Sequence, residues 1–287
     1  MSILNFLKPL VERSPALAHL YRTSRDRRFL SETPKDTPMG FKFSGDLVMQ
    51  QGLFEPTEWN VASQCLERSD VFINIGANIG YYCCLALKLG KYVFAFEPID
   101  LNVQYLTKNI KANKWDENIE IFPLALSNKV GLVDIYGGAK GASLVKGWMG
   151  TPENYVRLIP ATTLDNVLCD RIAGKQSFIL IDVEGAEKYV LEGAIKHLSF
   201  EPKPIWMVEI ATREHQPKGV KLNPNLMSTF DLFWDSGYEC FTSDGLFRKI
   251  SKSEVIEVNK TGNDNWSVHN FLFMDQSIAN QICIQTN

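Results

Sequence analysis

The chain has 287 residues, of which 45% are hydrophobic, 11% aromatic and 22% charged. These values are ordinary for a globular protein, so they exclude a fibre or a largely disordered chain and predict one large or two small domains. Thirty Lys and Arg against 33 Asp and Glu give a net charge of −3, which provides no strong field for attracting a phosphate backbone. We therefore expect no nucleic acid partner.

Residues 1–45 are predicted to form an N-terminal helical extension and linker. Ile3, Phe6 and Leu10 recur at helical spacing, and several arginines follow them before residue 30. A leading helix packed on the domain is the first interpretation. Peripheral contact with a membrane surface through residues 1–30 is the alternative, because positive charge follows the apolar face. The main domain is expected at residues 46–287.

The sequence favours a cytoplasmic protein without a transmembrane segment. Its first residues lack the basic start, the continuous apolar run and the cleavage site of a signal peptide. The longest uncharged stretch, residues 71–87, contains Asn74, Gly76 and Asn78, which a bilayer core would penalise. The six cysteines include no C-x-x-C pair, so we expect them to be reduced thiols.

From residue 71 onward, short apolar segments alternate with amphipathic ones. The segments that predict strands are residues 71–76, 92–96, 119–126, 178–183, 205–210, 238–242 and 268–274. The segments that predict helices between them are residues 79–89, 101–113 and 186–198. Continuous apolar strands that alternate with helices indicate a parallel sheet covered on both faces, and the last two strands are expected to close its far edge.

Two longer segments show no periodic pattern. Residues 137–151 contain five glycines, and residues 212–225 contain Pro217, Gly219 and Pro224. Long connections in a compact domain are often binding loops or lids. We interpret the two segments either as walls of a substrate site or as plain surface loops.

The most informative motif is N-I-G-A-N-I-G at residues 74–80, which joins the first strand to the first helix. Glycine at such a turn lets a ligand approach the backbone closely, because it has no Cβ and tolerates positive φ. Glu97 ends the next strand, about 20 residues further on, where an acid can accept hydrogen bonds from a ribose diol. This combination predicts a ligand that carries adenosine.

The spacing of the glycines indicates which adenosine ligand is bound. Dinucleotide sites use G-x-G-x-x-G to admit a pyrophosphate, whereas Asn78 stands here where the second glycine is needed, and the turn has no Lys or Arg. S-adenosylmethionine needs no phosphate cradle, and Asn74, Asn78 and Glu97 offer polar groups for its methionine end and its ribose. A nicotinamide-dependent oxidoreductase is the less favoured alternative.

The glycine turn is the first of several segments that follow one another along the chain. They are FINIGANIGY (72–81), FEP (96–98), Leu106 with Asn109 and Asn113, ALS (125–127), TLD (163–165), IDVEGAE (181–187) and VLEGA (190–194). This succession resembles the FkbM-type S-adenosylmethionine-dependent methyltransferases over about residues 50–275. The resemblance implies the α/β fold of class I methyltransferases: a Rossmann-like, seven-stranded, mostly parallel sheet with helices on both faces and an antiparallel edge.

By this resemblance, the cofactor is S-adenosylmethionine. The residues implied to line it are Gly76, Ala77, Asn78, Gly80 and Tyr81 for the methionine part, Glu97 and Pro98 for the ribose, and Ala125, Leu126 and Ser127 for the adenine. Glu55 is expected to reach the amino group of the cofactor. The family motif usually opens with Asp, and Asn74 lacks that negative charge. A non-catalytic module that binds S-adenosylmethionine therefore stays an alternative.

A hydroxyl acceptor requires a general base or a metal ion, because it is nearly un-ionised at neutral pH. The candidates follow two predicted strands: Asp182 and Glu184 follow the first, and Glu209 and His215 follow the second. Asp182 is the first candidate for the base and is also expected to face the cofactor. The other three are alternates, and a Mg²⁺ ion held by these carboxylates is possible but not favoured. Glu187 is interpreted as a solvated carboxylate in the first turn of a helix.

These observations predict an S-adenosylmethionine-dependent O-methyltransferase that acts on a hydroxyl of a sugar, a glycan or a secondary metabolite. Its expected partner is that small-molecule or glycan acceptor. No residue is assigned as a metal ligand, and the oligomeric state is left open.

Overall fold

The computed structural model describes residues 31–138 and 141–283, together with the single residues 20 and 23. The predicted leading helix and the alternative of membrane contact through residues 1–30 therefore lie outside the described residues, apart from those two positions. No helix in the described part of the chain is long and apolar enough to cross a membrane.

The described part of the chain alternates between short strands and helices. The strands are β1 (Lys35–Asp36), β2 (Lys42–Phe43), β3 (Val71–Ile75), β4 (Tyr92–Phe96), β5 (Ile119–Phe122), β6 (Ala125–Leu126), β7 (Gly131–Tyr136), β8 (Val156–Thr162), β9 (Ser177–Ile181), β10 (Ile205–Glu209), β11 (Glu239–Thr242), β12 (Lys249–Ile250) and β13 (Asn270–Met274). The α-helices are α1 (Leu47–Gln50), α2 (Pro56–Glu67), α3 (Tyr81–Lys88), α4 (Asp100–Ala112), α5 (Leu164–Leu168), α6 (Glu187–Glu192), α7 (Ile195–Leu198), α8 (Leu226–Asp235), α9 (Lys252–Thr261) and α10 (Gln276–Cys283).

The central sheet has eight strands in the order β12-β11-β13-β10-β9-β3-β4-β5. Neighbouring strands from β10 to β5 are parallel, and β13, β11 and β12 form an antiparallel edge. This arrangement confirms the α/β fold of class I methyltransferases that the resemblance implies. The expected count of seven strands is wrong by one, because the two-residue strand β12 pairs with β11 beyond the expected edge.

Both faces of strand β3 are buried, which explains its uninterrupted apolar sequence. Successive side chains of a strand point to opposite faces. Phe72 belongs to the core that α2, α3 and α4 cover, whereas Ile73 and Ile75 belong to the core that α6, α8 and α9 cover. Asn74 shares the face of Phe72 and lies under α3, since its amide nitrogen donates to Cys83 Sγ at 3.4 Å.

The predicted strand over residues 119–126 is wrong, because the chain leaves the central sheet at Pro123. Residues 119–122 form β5, whereas residues 125–126 form β6 in a separate three-stranded sheet of order β6-β8-β7. Proline has no N–H group to continue a ladder. The sequence analysis missed β7 and β8, whose residues Leu132 and Leu158 are 69% and 67% exposed.

The predicted helix over residues 186–198 is interrupted and forms α6 and α7 instead. A Cβ on Gly193 would lie 2.3 Å from the main-chain oxygen of Ser127, so the small sheet approaches the backbone closely at this point. The helical periodicity continues across the break and therefore gives no sign of it. The break follows from a contact with a segment more than 60 residues away in the sequence.

Residues 41–45, which the sequence analysis assigns to the linker, contact α4. The side-chain oxygen of Asn109 accepts a hydrogen bond from the Ser44 N–H at 2.9 Å, and its amide donates to the Ser44 and Ile79 main-chain oxygens at 3.1 and 3.0 Å. Asn109 is fully buried, so these bonds fix the ribbon of β1 and β2 to the turn that precedes α3. The boundary at residues 45 and 46 stays a prediction.

Candidate active site

The turn between β3 and α3 packs against the ends of the two neighbouring strands β4 and β9. Gly76 has a φ of +87°, and a Cβ there would lie 1.7 Å from the main-chain oxygen of Asp182, so only glycine fits. The N–H groups of Gly76 and Ala77 donate to the Phe96 oxygen at 2.9 Å, and the Asp182 N–H donates to the Ile75 oxygen at 2.9 Å. The turn thus joins the carboxyl ends of β3, β4 and β9, which is where ligands bind in open α/β sheets.

Glu97, at the end of β4, is 4% exposed and receives hydrogen bonds on both carboxylate oxygens. Oε2 accepts from the Asn78 N–H at 2.8 Å, and Oε1 accepts from the Ile99 N–H at 2.9 Å and the Asn102 amide at 3.2 Å. Burial raises the pKa of Glu97 to about 7, although these donors oppose the rise. A carboxylate offers about four lone-pair sites, so a further donor such as a ribose hydroxyl can still be accepted.

A pocket of about 630 Å³, its open mouth included, lies beside Glu97. The candidate residues that line it are Gly76, Asn78, Glu97, Pro98, Ala125, Leu126, Asp182 and Glu184. The lining also includes Leu124, Ile135, Ala142 and Leu144, which the sequence analysis missed because they lie in the small sheet, in the connection before it and in the aperiodic segment after it. The pocket therefore combines an apolar wall with a carboxylate, as a purine nucleoside requires.

The side chain of Asn78 indicates whether the pocket suits S-adenosylmethionine. Asn78 has a φ of +48°, and its side-chain oxygen is buried without a hydrogen-bond partner among the described residues. Buried polar atoms in proteins are nearly always paired, so an unpaired acceptor on the wall of this pocket fits a ligand that carries donor groups. Together with Glu97 and the apolar wall, it makes the residues present suitable for the cofactor.

The other candidate cofactor residues lie away from the pocket wall. Asn74 is 2% exposed, and its side-chain oxygen has no partner among the described residues. Tyr81 is 3% exposed, and its hydroxyl donates to the Phe54 main-chain oxygen at 3.4 Å. The remaining ones, all buried, are Ala77, Gly80 and Ser127.

Glu55 lies immediately before α2 and contacts a tyrosine that the sequence analysis missed. The hydroxyl of Tyr82 donates to Glu55 Oε2 at 2.7 Å. Burial raises the pKa of Tyr82, and the charges of Glu55 and Asp182 add to the rise. Tyr82 therefore lies within electrostatic range of both carboxylates. The sequence analysis named its neighbour Tyr81 as a cofactor residue and did not name Tyr82.

Asp182 directly follows β9, and Glu209 is the last residue of β10, the adjacent parallel strand. The carboxyl groups of the two residues are hydrogen-bonded. Burial and the charge of Asp182 raise the pKa of Glu209 well above its usual range. Burial also raises the pKa of Asp182, but the hydrogen bond from Glu209 opposes that rise. The pair therefore titrates as a unit in which Glu209 keeps its proton to higher pH than Asp182.

Glu184 and Glu187 extend this group of carboxyl groups. Burial raises the pKa of Glu184, and a hydrogen bond from Trp148 opposes the rise. Burial raises the pKa of Glu187 to about 8. The interpretation of Glu187 as a solvated carboxylate is wrong: it opens α6 as expected, but it is 4% exposed because its side chain turns inward to accept from the Gly185 N–H at 2.8 Å.

The two aperiodic segments meet beside Glu184. The Met149 N–H donates to the His215 main-chain oxygen at 2.8 Å, and the rings of Trp148 and His215 are 6.1 Å apart between centroids. His215 does not line the pocket, but it lies within electrostatic range of Glu184. The structure therefore brings Asp182, Glu184 and Glu209 together, with His215 at their margin.

The cysteines whose side chains the structure describes are all free. Cys65, Cys83, Cys84 and Cys240 are buried and free, and Cys169 is exposed and free. Burial raises the pKa values of Cys65 and Cys83 to about 12, so neither is a thiolate at neutral pH. Across residues 31–138 and 141–283, no three His, Cys, Asp or Glu side chains are grouped so that they could hold a metal ion.

Comparison with known families agrees with this geometry. The family model described as the methyltransferase FkbM domain matches residues 74–240, which is more than half of the chain and runs from the glycine turn to β11. The chain belongs to the FkbM methyltransferase family. It is therefore an S-adenosylmethionine-dependent methyltransferase, and the nicotinamide alternative is wrong.

Solved methyltransferase structures have related but distant folds. A putative O-methyltransferase from Klebsiella pneumoniae shares 9% identity over 80% of this chain and 89% of its own, with a TM-score of 0.43. An O-methyltransferase from Bacillus cereus, in complex with S-adenosylhomocysteine, shares 10% identity over 76% of this chain and 80% of its own, with a TM-score of 0.41. A precorrin-6y C5,15-methyltransferase from Geobacter metallireducens shares 15% identity over 70% of this chain and 78% of its own, with a TM-score of 0.39. No curated protein matches the chain.

Proposed function

We propose that this FkbM methyltransferase methylates a hydroxyl of a sugar, a glycan or a secondary metabolite, and that Asp182 is its general base. The observation that carries the proposal is the Asp182–Glu209 carboxyl pair, which lies at the ends of β9 and β10. Asp182 is also part of the wall of the pocket that contains Gly76 and Glu97. A base in this position can take the proton of an acceptor hydroxyl next to the cofactor.

The residues of the pocket have separate roles in binding the cofactor. S-adenosylmethionine, when bound, supplies an electrophilic methyl carbon on its sulfonium. We assign the ribose to Glu97, the adenine to the apolar wall at Ala125 and Leu126, and a donor group of the cofactor to the unpaired oxygen of Asn78. Alignment and the exclusion of water are then the main contributions of the protein to an in-line methyl transfer.

Asp182 is the best base among the four carboxyl groups. Glu209 has a pKa well above its usual range, Glu187 is buried against Gly185, and Glu184 accepts a hydrogen bond from Trp148. Asp182 lies on the pocket wall, and its raised pKa makes its carboxylate a stronger base than a solvated one. We therefore assign deprotonation of the acceptor to Asp182 rather than to a metal ion.

The charge around Asp182 supports a neutral acceptor. Glu184, Glu187 and Glu209 lie within electrostatic range of it, and none of these groups offers the positive charge that attracts phosphate. A hydroxyl of a sugar, a glycan or a secondary metabolite is compatible with this environment, whereas a nucleic acid backbone gains no attraction from it. The free, buried thiols also agree with action in the cytoplasm.

The test measures S-adenosylhomocysteine formation with a panel of hydroxylated sugars, glycans and secondary metabolites. Asp182→Asn should lower kcat roughly 10²- to 10⁴-fold and change the Kd for S-adenosylhomocysteine by only a few-fold. Asp116→Asn makes the same change at an exposed position and should match the wild type. Full activity of Asp182→Asn would remove Asp182 as the base, and turnover only with amines or thiols would falsify O-methylation.

A further inference from the structure

Residues 141–151, which we call the wall segment, form one side of the cofactor pocket. Gly141, Ala142 and Leu144 line the pocket. Trp148, in the same segment, does not line it, yet this residue is only 3% exposed although it lies in a long connection. A buried tryptophan in a loop usually has a hydrogen-bond partner for its N–H group.

That partner is Glu184, which the wall segment contacts twice. The indole N–H of Trp148 donates to Glu184 Oε2 at 2.8 Å, and the Ser143 hydroxyl donates to the Glu184 main-chain oxygen at 2.5 Å. Ser143 also exchanges two main-chain hydrogen bonds with Tyr136 at the end of β7, at 2.8 and 3.0 Å. The wall segment is therefore attached both to the small sheet and to Glu184, two residues after the proposed base Asp182.

The backbone beside Glu184 is shaped to receive the indole ring. A Cβ on Gly185 would lie 2.5 Å from Trp148 Cζ3, so the ring occupies the space that a side chain would need. Glu184 itself has a φ of +57°. This conformation costs free energy in a residue other than glycine and persists only where surrounding contacts hold it.

We propose that Trp148 is a positioning residue whose indole N–H holds the Glu184 carboxylate and thereby keeps the wall segment closed on the cofactor pocket. Loss of this hydrogen bond leaves a partly buried carboxylate without its donor, which destabilises the closed arrangement. Cofactor binding then weakens because Gly141, Ala142 and Leu144 leave the pocket wall. This inference depends neither on the acceptor nor on which carboxylate acts as the base.

The experiment combines calorimetric titration of S-adenosylhomocysteine with hydrogen exchange of the free protein. Trp148→Phe keeps an aromatic ring but removes the N–H group, Glu184→Ala removes the acceptor, and Glu184→Gln retains an oxygen that can accept. We expect the Kd to rise roughly 10-fold in Trp148→Phe and in Glu184→Ala. The double variant should show no further rise, and Glu184→Gln, which keeps an acceptor for the indole N–H, should bind several-fold more tightly than Glu184→Ala.

Hydrogen exchange of residues 141–151 should be faster in Trp148→Phe and Glu184→Ala without any ligand. Trp266→Phe is the matched control: this tryptophan is also buried, at 4% exposed, and packs on Phe230 and Phe271 in the core under α8. It should leave both the Kd and the exchange of residues 141–151 unchanged.

An unchanged Kd and unchanged exchange in Trp148→Phe would overturn the proposal, and so would additive effects of the two single variants. If Trp148→Phe does not fold, the comparison of Glu184→Ala with Glu184→Gln decides: equal Kd values refute the role of the hydrogen bond, and a difference of several-fold supports it. Since no acceptor is present, failure of the proposed O-methylation would not affect these results.

Discussion

The two halves of the candidate site differ in how their acids are held. On the side that we propose for adenosine, which we call the adenosine side, the carboxylate of Glu97 accepts from two main-chain N–H groups and one amide. On the side that we propose for the acceptor, which we call the acceptor side, Asp182 and Glu209 are hydrogen-bonded to each other, with Glu184 and Glu187 close by. The acid of the adenosine side is thus held mainly by nearby backbone groups, whereas the acids of the acceptor side come from separate strands and interact with one another.

Each side also contains a buried carboxyl group with a raised pKa. Burial raises the pKa of Glu97 to about 7 and that of Glu187 to about 8. Glu97 has three donors to offset its burial, and the charge of Asp182 adds to the rise. Glu187 accepts from two main-chain N–H groups and faces the charges of both Asp182 and Glu184.

The largest effect is expected where the two sides touch. Gly76→Ala places a Cβ at 1.7 Å from the Asp182 main-chain oxygen, so the turn and β9 must separate. We expect a loss of more than about 3 kcal/mol in the free energy of unfolding and no measurable binding of S-adenosylhomocysteine. Urea unfolding and calorimetry provide the measurements.

Gly90→Ala is the matched control for that change. Gly90 also has a positive φ, of +75°, but a Cβ there meets nothing within 4 Å. Only the backbone strain of about 1 kcal/mol should remain. If Gly76→Ala cost no more than this control, the close contact between the two sides would be disproved.

A smaller effect is expected from the proton donor of the carboxyl pair. Glu209→Gln keeps an N–H donor for Asp182 and should retain most of kcat, whereas Glu209→Ala should lose roughly 10-fold because a donor to a charged group is removed. With the wild type, kcat should rise with pH as Asp182 loses its proton, since the carboxylate is the active form. Steady-state rates across pH 5–9 would show this, and equal loss in both variants would argue against a role for the hydrogen bond between the two carboxyl groups.

The remaining effect is confined to alkaline pH and concerns stability rather than rate. The pKa of Glu187 is raised in the folded state to about 8 from an ordinary 4.5, so its protonated form favours folding. That stability is fully present below pH 4.5 and is lost as the pH rises through 8. At pH 9, Glu187→Gln should therefore be more stable than the wild type by on the order of 3 kcal/mol, and at pH 4.5 the two should be similar.

Denaturant unfolding at these two pH values would measure that difference. Glu257→Gln, at an exposed position on α9, is the control and should not change the pH dependence of stability. A Glu187→Gln variant that loses stability equally at both pH values would show that the carboxylate is not a buried charge at high pH.

Much of the adenosine side could be predicted from the sequence. The strand over residues 92–96 is found with the same bounds as predicted, and Gly76, Asn78, Glu97 and Pro98 all line one pocket. These features depend on residues that are near one another along the chain or at the ends of adjacent strands. Local rules of turn geometry and periodicity are sufficient to place them.

The sequence by itself determined the family, the cofactor class and the order of strands and helices around the glycine turn. Each of these can be recognised from short patterns of apolar, glycine and acidic residues. Only the tertiary structure decided that Glu187 is buried, that Asn74 faces Cys83, and that Trp148 donates to Glu184. Those outcomes depend on contacts between distant segments. Burial and hydrogen-bond partners, which set the charge of a carboxyl group, exist only once the chain has folded.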